Sequence, residues 1–439
     1  MSPKVKQRER TAIIKALQAG VVPRIGLQHL QVGRRGEIEA VLSDLKHVAD
    51  GGSAVRFVIG RYGSGKTFFL NLMRTLAHEN DFVVADCDIT MRRRLYSSQG
   101  DARALYAELM KNASTKSKPQ GGALESIVER WIGDIHHRVT QEGGDKEEVK
   151  AEIMESLESL RDYVGGYDFA TVLAKYYEGF HDADAELQQN AIRWLRGEFS
   201  TKTEARKALG VRTIVDDDNI YDHLKLFAAF VKIAGYSGLM IGLDEMKVLS
   251  HNISHPKSRE GNFEVILQIV NECLQGDAEG LQFLMAGIPG FLEDPKRGLH
   301  SYGALKTRLA ENKFAVEGVS DFSGPVIRLQ NLSEEDLYVL LNNIRDVFAQ
   351  RDPDNYLISD EGIQEFMRYC AEQIGSDYFR TPRDSVKEFV GLLSVLEQNP
   401  DTTWRELLPN QDESVDSPET ESAPSDGETA DDELTSFEL

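Results

Sequence analysis

The chain has 439 residues, of which 41% are hydrophobic and 28% charged. At roughly 150 residues per domain it can hold about three domains with a well-buried core, which excludes peptide-scale scaffolds, collagen-like chains and wholesale disorder. Fifty basic against 72 acidic residues give a net charge of −22, a balance that argues against a chain-wide nucleic-acid surface.

In chain order, Arg8 to Leu45 reads as helix, a loop at Gly20 to Gly33 punctuated by Pro23 and Gly26, then helix. Lys15 breaks any secretory apolar core, and no apolar run approaches the eighteen or so residues of a membrane helix. A cytoplasmic location with no membrane partner is expected. The run AVRFVIG (54–60) is short, continuous and rich in β-branched and aromatic residues, which predicts a buried parallel strand. TFFLNLMRTLAHE (67–79) follows with apolar residues at helical spacing. Further strands are predicted at 81–88, 238–245, 281–289 and 325–330, separated by helical stretches such as 263–274 and 302–311. Strands alternating with helices predict an α/β fold with a parallel sheet covered on both faces.

Residues 92–235 interrupt this alternation with helical periodicity alone, which predicts an inserted all-helical subdomain. Trp131 is expected in its core and His136-His137 on its surface. From Ser333, where SEED at 333–336 resembles a capping box, the pattern is again helical to about Leu396. The expected organisation is an N-terminal helical segment (1–50), a core (51–332) carrying the insertion, a helical lid (333–410) and a tail (411–439). The stretch after Asn410 holds eleven carboxylates and no Lys or Arg, which leaves −11 on the body. Its composition predicts disorder. Cys87, Cys273 and Cys370 each lie in an apolar segment and are expected to be reduced core thiols.

The strongest chemical signal is GRYGSGKT (60–67), a G-x-x-x-x-G-K-[ST] loop between a predicted strand and a predicted helix. Gly60, Gly63 and Gly65 let the backbone aim its N–H groups inward at the positive end of the helix that begins near Lys66, a nest suited to phosphate. Gly60, Arg61, Tyr62, Gly63, Ser64, Gly65, Lys66, Thr67 and Phe68 are therefore candidate nucleotide contacts. Lys66 would reach the β- and γ-phosphates of ATP, and the Thr67 hydroxyl would ligate Mg²⁺. GLMIGLDE (238–245) places Asp244 and Glu245 at a strand's carboxyl end, where open α/β sheets bind ligands. Asp244 would hold the Mg²⁺ shell, and Glu245 would orient and polarise the attacking water.

The extra strand at 81–88, the strand at 281–289 and the helical lid together resemble the AAA+ class of ATPases, within it the initiator-loader type. That resemblance implies that Arg383 in RTPRDSVKEF is a lid arginine facing the γ-phosphate. It also implies that Arg308 in ALKTRLAE, or Arg297, is a finger offered to a neighbouring subunit. The class expects a polar side chain near the end of the fourth strand, where this chain has Ala286-Gly287-Ile288-Pro289; the departure implies slow hydrolysis. The segments RTAIIKALQAGVVPRIGLQHLQVGRRGEIEAVLSDL, FVIGRYGSGKTFFL, LDEMKVL and YFRTPRDSVKEFVGLLSVLEQNP resemble the ATP-binding proteins of BREX phage-defence systems, the BrxC/BrxD family. This resemblance runs to about Pro400. It implies that Gly33 and Arg34 belong to the adenine side of the pocket.

The resulting expectation is a Mg²⁺-ATPase serving a BREX-like defence complex as a nucleotide-dependent assembly or DNA-engagement factor. Its expected partners are copies of itself when nucleotide is bound, other defence-system proteins, and double-stranded DNA bound non-specifically through Arg92, Arg93 and Arg94. The alternatives are a slow nucleotide switch acting through protein partners and a DNA-loading ATPase of transposition or replication.

Overall fold

The computed structural model describes residues 5–314, 321–372 and 381–408. The acidic tail (411–439) and the YFR that precedes Thr381 lie outside the described residues.

Five strands form one parallel sheet in the order β2-β3-β4-β1-β5: β1 (Ser53–Gly60), β2 (Val83–Asp88), β3 (Leu239–Asp244), β4 (Leu281–Gly287) and β5 (Val326–Leu329). This is the α/β sheet anticipated from the alternation, with β1 starting one residue early and the other four strands trimmed by one or two residues at one or both ends. The strand inserted between β1 and β3 is β4, so the glycine-rich loop and the acidic strand end stand two strands apart on the same edge.

Alternation along the strands divides the core. Val58, Val84, Met240, Leu284 and Ile327 face α2 (Arg35–Ala49) and α3 (Lys66–Glu79). Phe57, Ala85, Ile241, Phe283 and Val326 point the other way, into a larger core shared with the helices inserted after β2. Those are α4 (Asp101–Asn112), α5 (Leu124–Gln141), α6 (Lys146–Ser156), α7 (Gly166–His181), α8 (Ala185–Leu195), α9 (Lys202–Leu209) and α10 (Ile220–Ile233). Trp131 of α5 packs edge-on against Phe230 of α10, 5.3 Å between ring centroids. Because the insertion shares its apolar surface with the sheet, it is continuous with the main core. His136 sits beside the Tyr177 ring, and His137 is exposed.

After β3 the chain forms a short π-turn (Val248–Asn252) and then α11 (Pro256–Gln275). That helix begins seven residues before the predicted 263. Pro256 opens it at its first turn, and Gly261 is needed inside it because a Cβ there would lie 2.4 Å from the Tyr96 ring. Between β4 and β5 come α12 (Pro289–Glu293) and α13 (Gly303–Arg308); α13 is shorter than the predicted 302–311, and Glu311 instead pairs with Arg328 of β5 at 2.6 Å.

The C-terminal helices are α14 (Glu334–Phe348), α15 (Asp360–Glu372), α16 (Pro382–Gln398) and the single turn α17 (Trp404–Leu407). Their core of Ile344, Phe366, Phe389 and Leu393 also takes in Ile13 and Ile14 from α1 (Gln7–Gln18). The N-terminal segment therefore divides its packing, α1 on the lid helices and α2 on the sheet. Ser333 caps α14 by accepting from the Asp336 N–H at 3.1 Å, while the Asp336 carboxylate lies against Gly33, whose φ is +62°. All three cysteines are buried, and burial pushes the Cys87 and Cys273 thiols up to about 12.

One buried ion pair fixes α2 to the sheet. The Arg56 guanidinium on β1 donates to both Asp44 carboxylate oxygens on α2, at 2.6 and 2.8 Å, and to the carbonyls of Phe322 and Gly324 just before β5. Replacing Asp44 by Ala would strand that charge with only its carbonyl partners. Removing one member of such a pair costs about 3–5 kcal/mol, so chemical denaturation should show D44A unfolding at clearly lower denaturant than wild type. A midpoint within error of wild type would mean water replaces the carboxylate at no cost.

Candidate nucleotide site

At the carboxyl edge of the sheet, β1 ends at Gly60, the loop 61–65 turns, and α3 starts at Lys66. Gly63 and Gly65 have φ of +75° and +87°, values that strain any residue bearing a Cβ. A Cβ on Gly63 would also stand 2.4 Å from Thr381 at the start of α16. This glycine therefore permits both the loop's turn and the approach of the lid. The N-termini of α3 and α16 converge on one cavity of about 410 Å³, adding two positive helix ends to its field.

The cavity has a charged end and an apolar end. Tyr62 through Phe68 line the charged end, together with Asp244, Glu245, Lys247 and Arg383. Lys66 Nζ donates to the carbonyls of Gly60 (3.0 Å) and Arg61 (2.9 Å). Burial lowers its pKa from the usual lysine range; Asp244 and Glu245 oppose that shift, and Lys247 and Arg383 add to it. Arg383, in the first turn of α16, is exposed. Gly60 and Arg61 are not among the residues that line the cavity; their carbonyls accept from Lys66 Nζ. Ser64 Oγ is buried without a hydrogen-bond partner among the described residues.

Thr67 Oγ1 donates to Asp244 Oδ2 at 2.7 Å, so a residue of α3 and one of β3 meet across β4. The other Asp244 oxygen accepts the Glu245 N–H at 2.7 Å. Glu245 itself has φ +58°, a left-handed conformation that costs a non-glycine residue about 1 kcal/mol or more and turns its side chain off the strand line. Asp88, paired in register with Asp244, has its pKa raised by burial first and then by the Asp244 and Glu245 carboxylates. Three carboxylates crowd this corner, yet among the described residues no group of three His, Cys, Asp or Glu could hold a metal unaided. The donor set fits Mg²⁺, which keeps several waters and takes one or two protein oxygens plus substrate phosphate. The Thr67 lone pairs can face such an ion while its O–H donates to Asp244 Oδ2.

The apolar end is built from parts distant in sequence. Val21, Val22, Pro23 and Val32 come from the segment between α1 and α2, and Leu340, Ile344 and Val386 from the lid helices. Phe68 packs against both the lid core and the sheet core. This wall suits a flat aromatic ring. Arg34, with φ +61°, donates to the carbonyl of Ser64 at 3.1 Å and to that of Gln330, and lies 3.6 Å from Glu37. It joins the N-terminal segment to the glycine-rich loop. Gly33 lies against Asp336, beside the lining residues Val32 and Arg34.

A family model for the BREX system ATP-binding protein BrxC/D matches residues 5–412. The chain belongs to that family. It is accordingly a BREX-associated ATP-binding protein. No curated protein matches the chain.

The other predicted residues lie elsewhere. Arg308, at the end of α13, is exposed; it donates to Asn271 Oδ1 and, at 3.2 Å, to the Ala304 carbonyl. Arg297 is half-buried and reaches the Ile253 carbonyl at 3.4 Å. Neither lines the cavity. Arg93 pairs with Glu108 at 3.2 Å and Arg94 with Asp101, both on α4, while Arg92 is exposed. At the end of β4, Ala286, Gly287 and Ile288 do line the cavity, with no polar side chain. A Cβ on Gly287 would lie 2.6 Å from the Phe291 ring, so packing keeps a side chain from that position. Among the described residues no helix is long and apolar enough to cross a membrane.

Proposed function

We propose that this member of the BREX ATP-binding family is a Mg²⁺-dependent ATPase whose nucleotide cycle drives assembly with copies of itself and with other defence proteins. The observation that carries the reading is the contact of Thr67 with Asp244, which sets Glu245 beside the head of the glycine-rich loop. Bound Mg²⁺ would neutralise charge on the transferring phosphoryl group. Thr67 and Asp244 would hold it, Lys66 would leave its loop carbonyls for the phosphates, and Arg383 would approach from the lid. Glu245 would take a proton from water as the new P–O bond forms and the bond to the β-phosphate oxygen breaks, leaving ADP and inorganic phosphate. Arg308, exposed and outside its own cavity, would complete a neighbour's site. We favour the assembly role over DNA engagement because Arg93 and Arg94 are already committed to α4.

A second reading, a slow nucleotide switch acting through partners, is favoured by the apolar end of β4. Phosphate release, measured with Mg²⁺ and with excess chelator over a series of protein concentrations, separates the two. The ATPase reading expects metal-dependent release whose rate per subunit rises with concentration as Arg308 is supplied in trans. Tight ATP binding without release supports the switch, and absence of binding sinks both.

A further inference from the structure

Lys247 stands two residues beyond Glu245, and the phosphate-loop pattern gives it no role. Its ammonium lies 3.3 Å from Glu245 Oε2, donates to the Tyr62 hydroxyl of the glycine-rich loop and sits 4.5 Å above the centre of the Tyr62 ring. Tyr62 is 59% exposed, so this cation is held by a movable side chain at the cavity mouth rather than by the core. The Met246 N–H donates to the Ala286 carbonyl at 3.1 Å. That bond brings the chain just before Lys247 alongside the end of β4, where Ala286, Gly287 and Ile288 offer no polar group. The charged end of the cavity thus has a cation at the corner where the neighbouring strand lacks one.

We propose that Lys247 reads the terminal phosphate of a nucleoside triphosphate: with that phosphate absent it holds Glu245 and Tyr62, and with it present it exchanges both for the phosphate and frees the Glu245 carboxylate. The inference rests on the nucleotide reading of the cavity. Its location follows from the order of groups along the site. Lys66 and Thr67 open α3, Asp244 meets Thr67, and Glu245 follows Asp244; Lys66 and Lys247 both stand over the Tyr62 ring, at 5.7 and 4.5 Å from its centre. On the reading that Glu245 polarises the water attacking the terminal phosphate, a cation in contact with Glu245 would stand beside that phosphate, beyond the reach of a diphosphate. The exchange trades one anionic partner for another carrying more charge. Lys247 shares the corner with Lys66 and Arg383, whose repulsion an added phosphate would relieve. Lys247 is a positioning residue toward Glu245 and a specificity-determining one toward the triphosphate.

Calorimetric titration of the full chain with ADP and with the non-hydrolysable adenylyl imidodiphosphate, both with Mg²⁺, tests it. Wild type, Lys247→Ala and Lys247→Arg are compared, with melting temperatures taken first in the absence of nucleotide. A charge-assisted contact to phosphate is worth about tenfold or more in affinity. K247A should therefore bind the triphosphate analogue at least about tenfold more weakly, with ADP affinity unchanged and no loss of thermal stability. K247R should keep most of the wild-type preference. Equal weakening toward both nucleotides, or none toward either, overturns the proposal while leaving the nucleotide reading intact. If wild type binds neither nucleotide, it is the nucleotide reading that fails, and the inference falls with it.

Discussion

Lys66→Ala should abolish the rise in melting temperature that ATP produces in the wild-type chain, while leaving the nucleotide-free melting temperature close to wild type. The Lys66 ammonium rests on the Gly60 and Arg61 carbonyls, at an open cavity where water can replace it, so the fold loses little. Nucleotide binding loses its principal loop cation. A ligand at a hundred times its dissociation constant stabilises the native state by about 2.7 kcal/mol; in the variant most of that linkage should vanish. Burial holds the Lys66 pKa below the usual lysine range. Its charge, and with it the nucleotide-induced shift, should therefore fade as pH rises toward that lowered value, earlier than an ordinary lysine would dictate. Thermal melts with and without Mg-ATP at two pH values provide the check. An undiminished ATP shift in K66A would place the nucleotide somewhere other than this loop.

What could be read in the sequence was what is contiguous. The run from Ala54 to Thr67 carries its own strand, turn and helix start, and the loop's glycines at positive φ are where the motif needs them. The strand ending at Asp244 was legible because its residues are apolar without interruption and buried on both faces. The apolar wall was not, since Val21 and Pro23 meet Leu340 and Val386 only after α1 has packed on the lid. The arginines at 92–94 looked alike in a row, and tertiary pairing with Glu108 and Asp101 gives two of them acidic partners. Lys247 carried a faint signal, a lysine just past an acidic strand end, but its meeting with Tyr62 spans 185 positions. Polar and glycine-containing PKSREGN hid the first turns of α11, where Gly261 yields helix propensity to admit Tyr96.

Glu245→Gln should bind ATP as tightly as wild type, or more tightly, and release phosphate at least about a hundredfold more slowly, the usual contribution of a positioned base. The amide keeps the side chain's length and the backbone's left-handed turn, and the Asp244 oxygen that accepts the residue 245 N–H is untouched. Only the base is lost. The substitution also removes the ion pair with Lys247 at 3.3 Å, which leaves that cation free for phosphate, and this is why binding should not weaken. The side chain is exposed, so the substitution leaves the core packing untouched, and a nucleotide-free melt verifies it. Single-turnover phosphate release, read beside nucleotide affinity on the same preparations, separates chemistry from binding. If turnover survives the change while binding is intact, Glu245 is a structural strand cap and the water must be oriented by another group. If turnover is absent in wild type as well and binding is tight, the chain works as a switch, with Glu245 retained by Lys247 throughout its cycle.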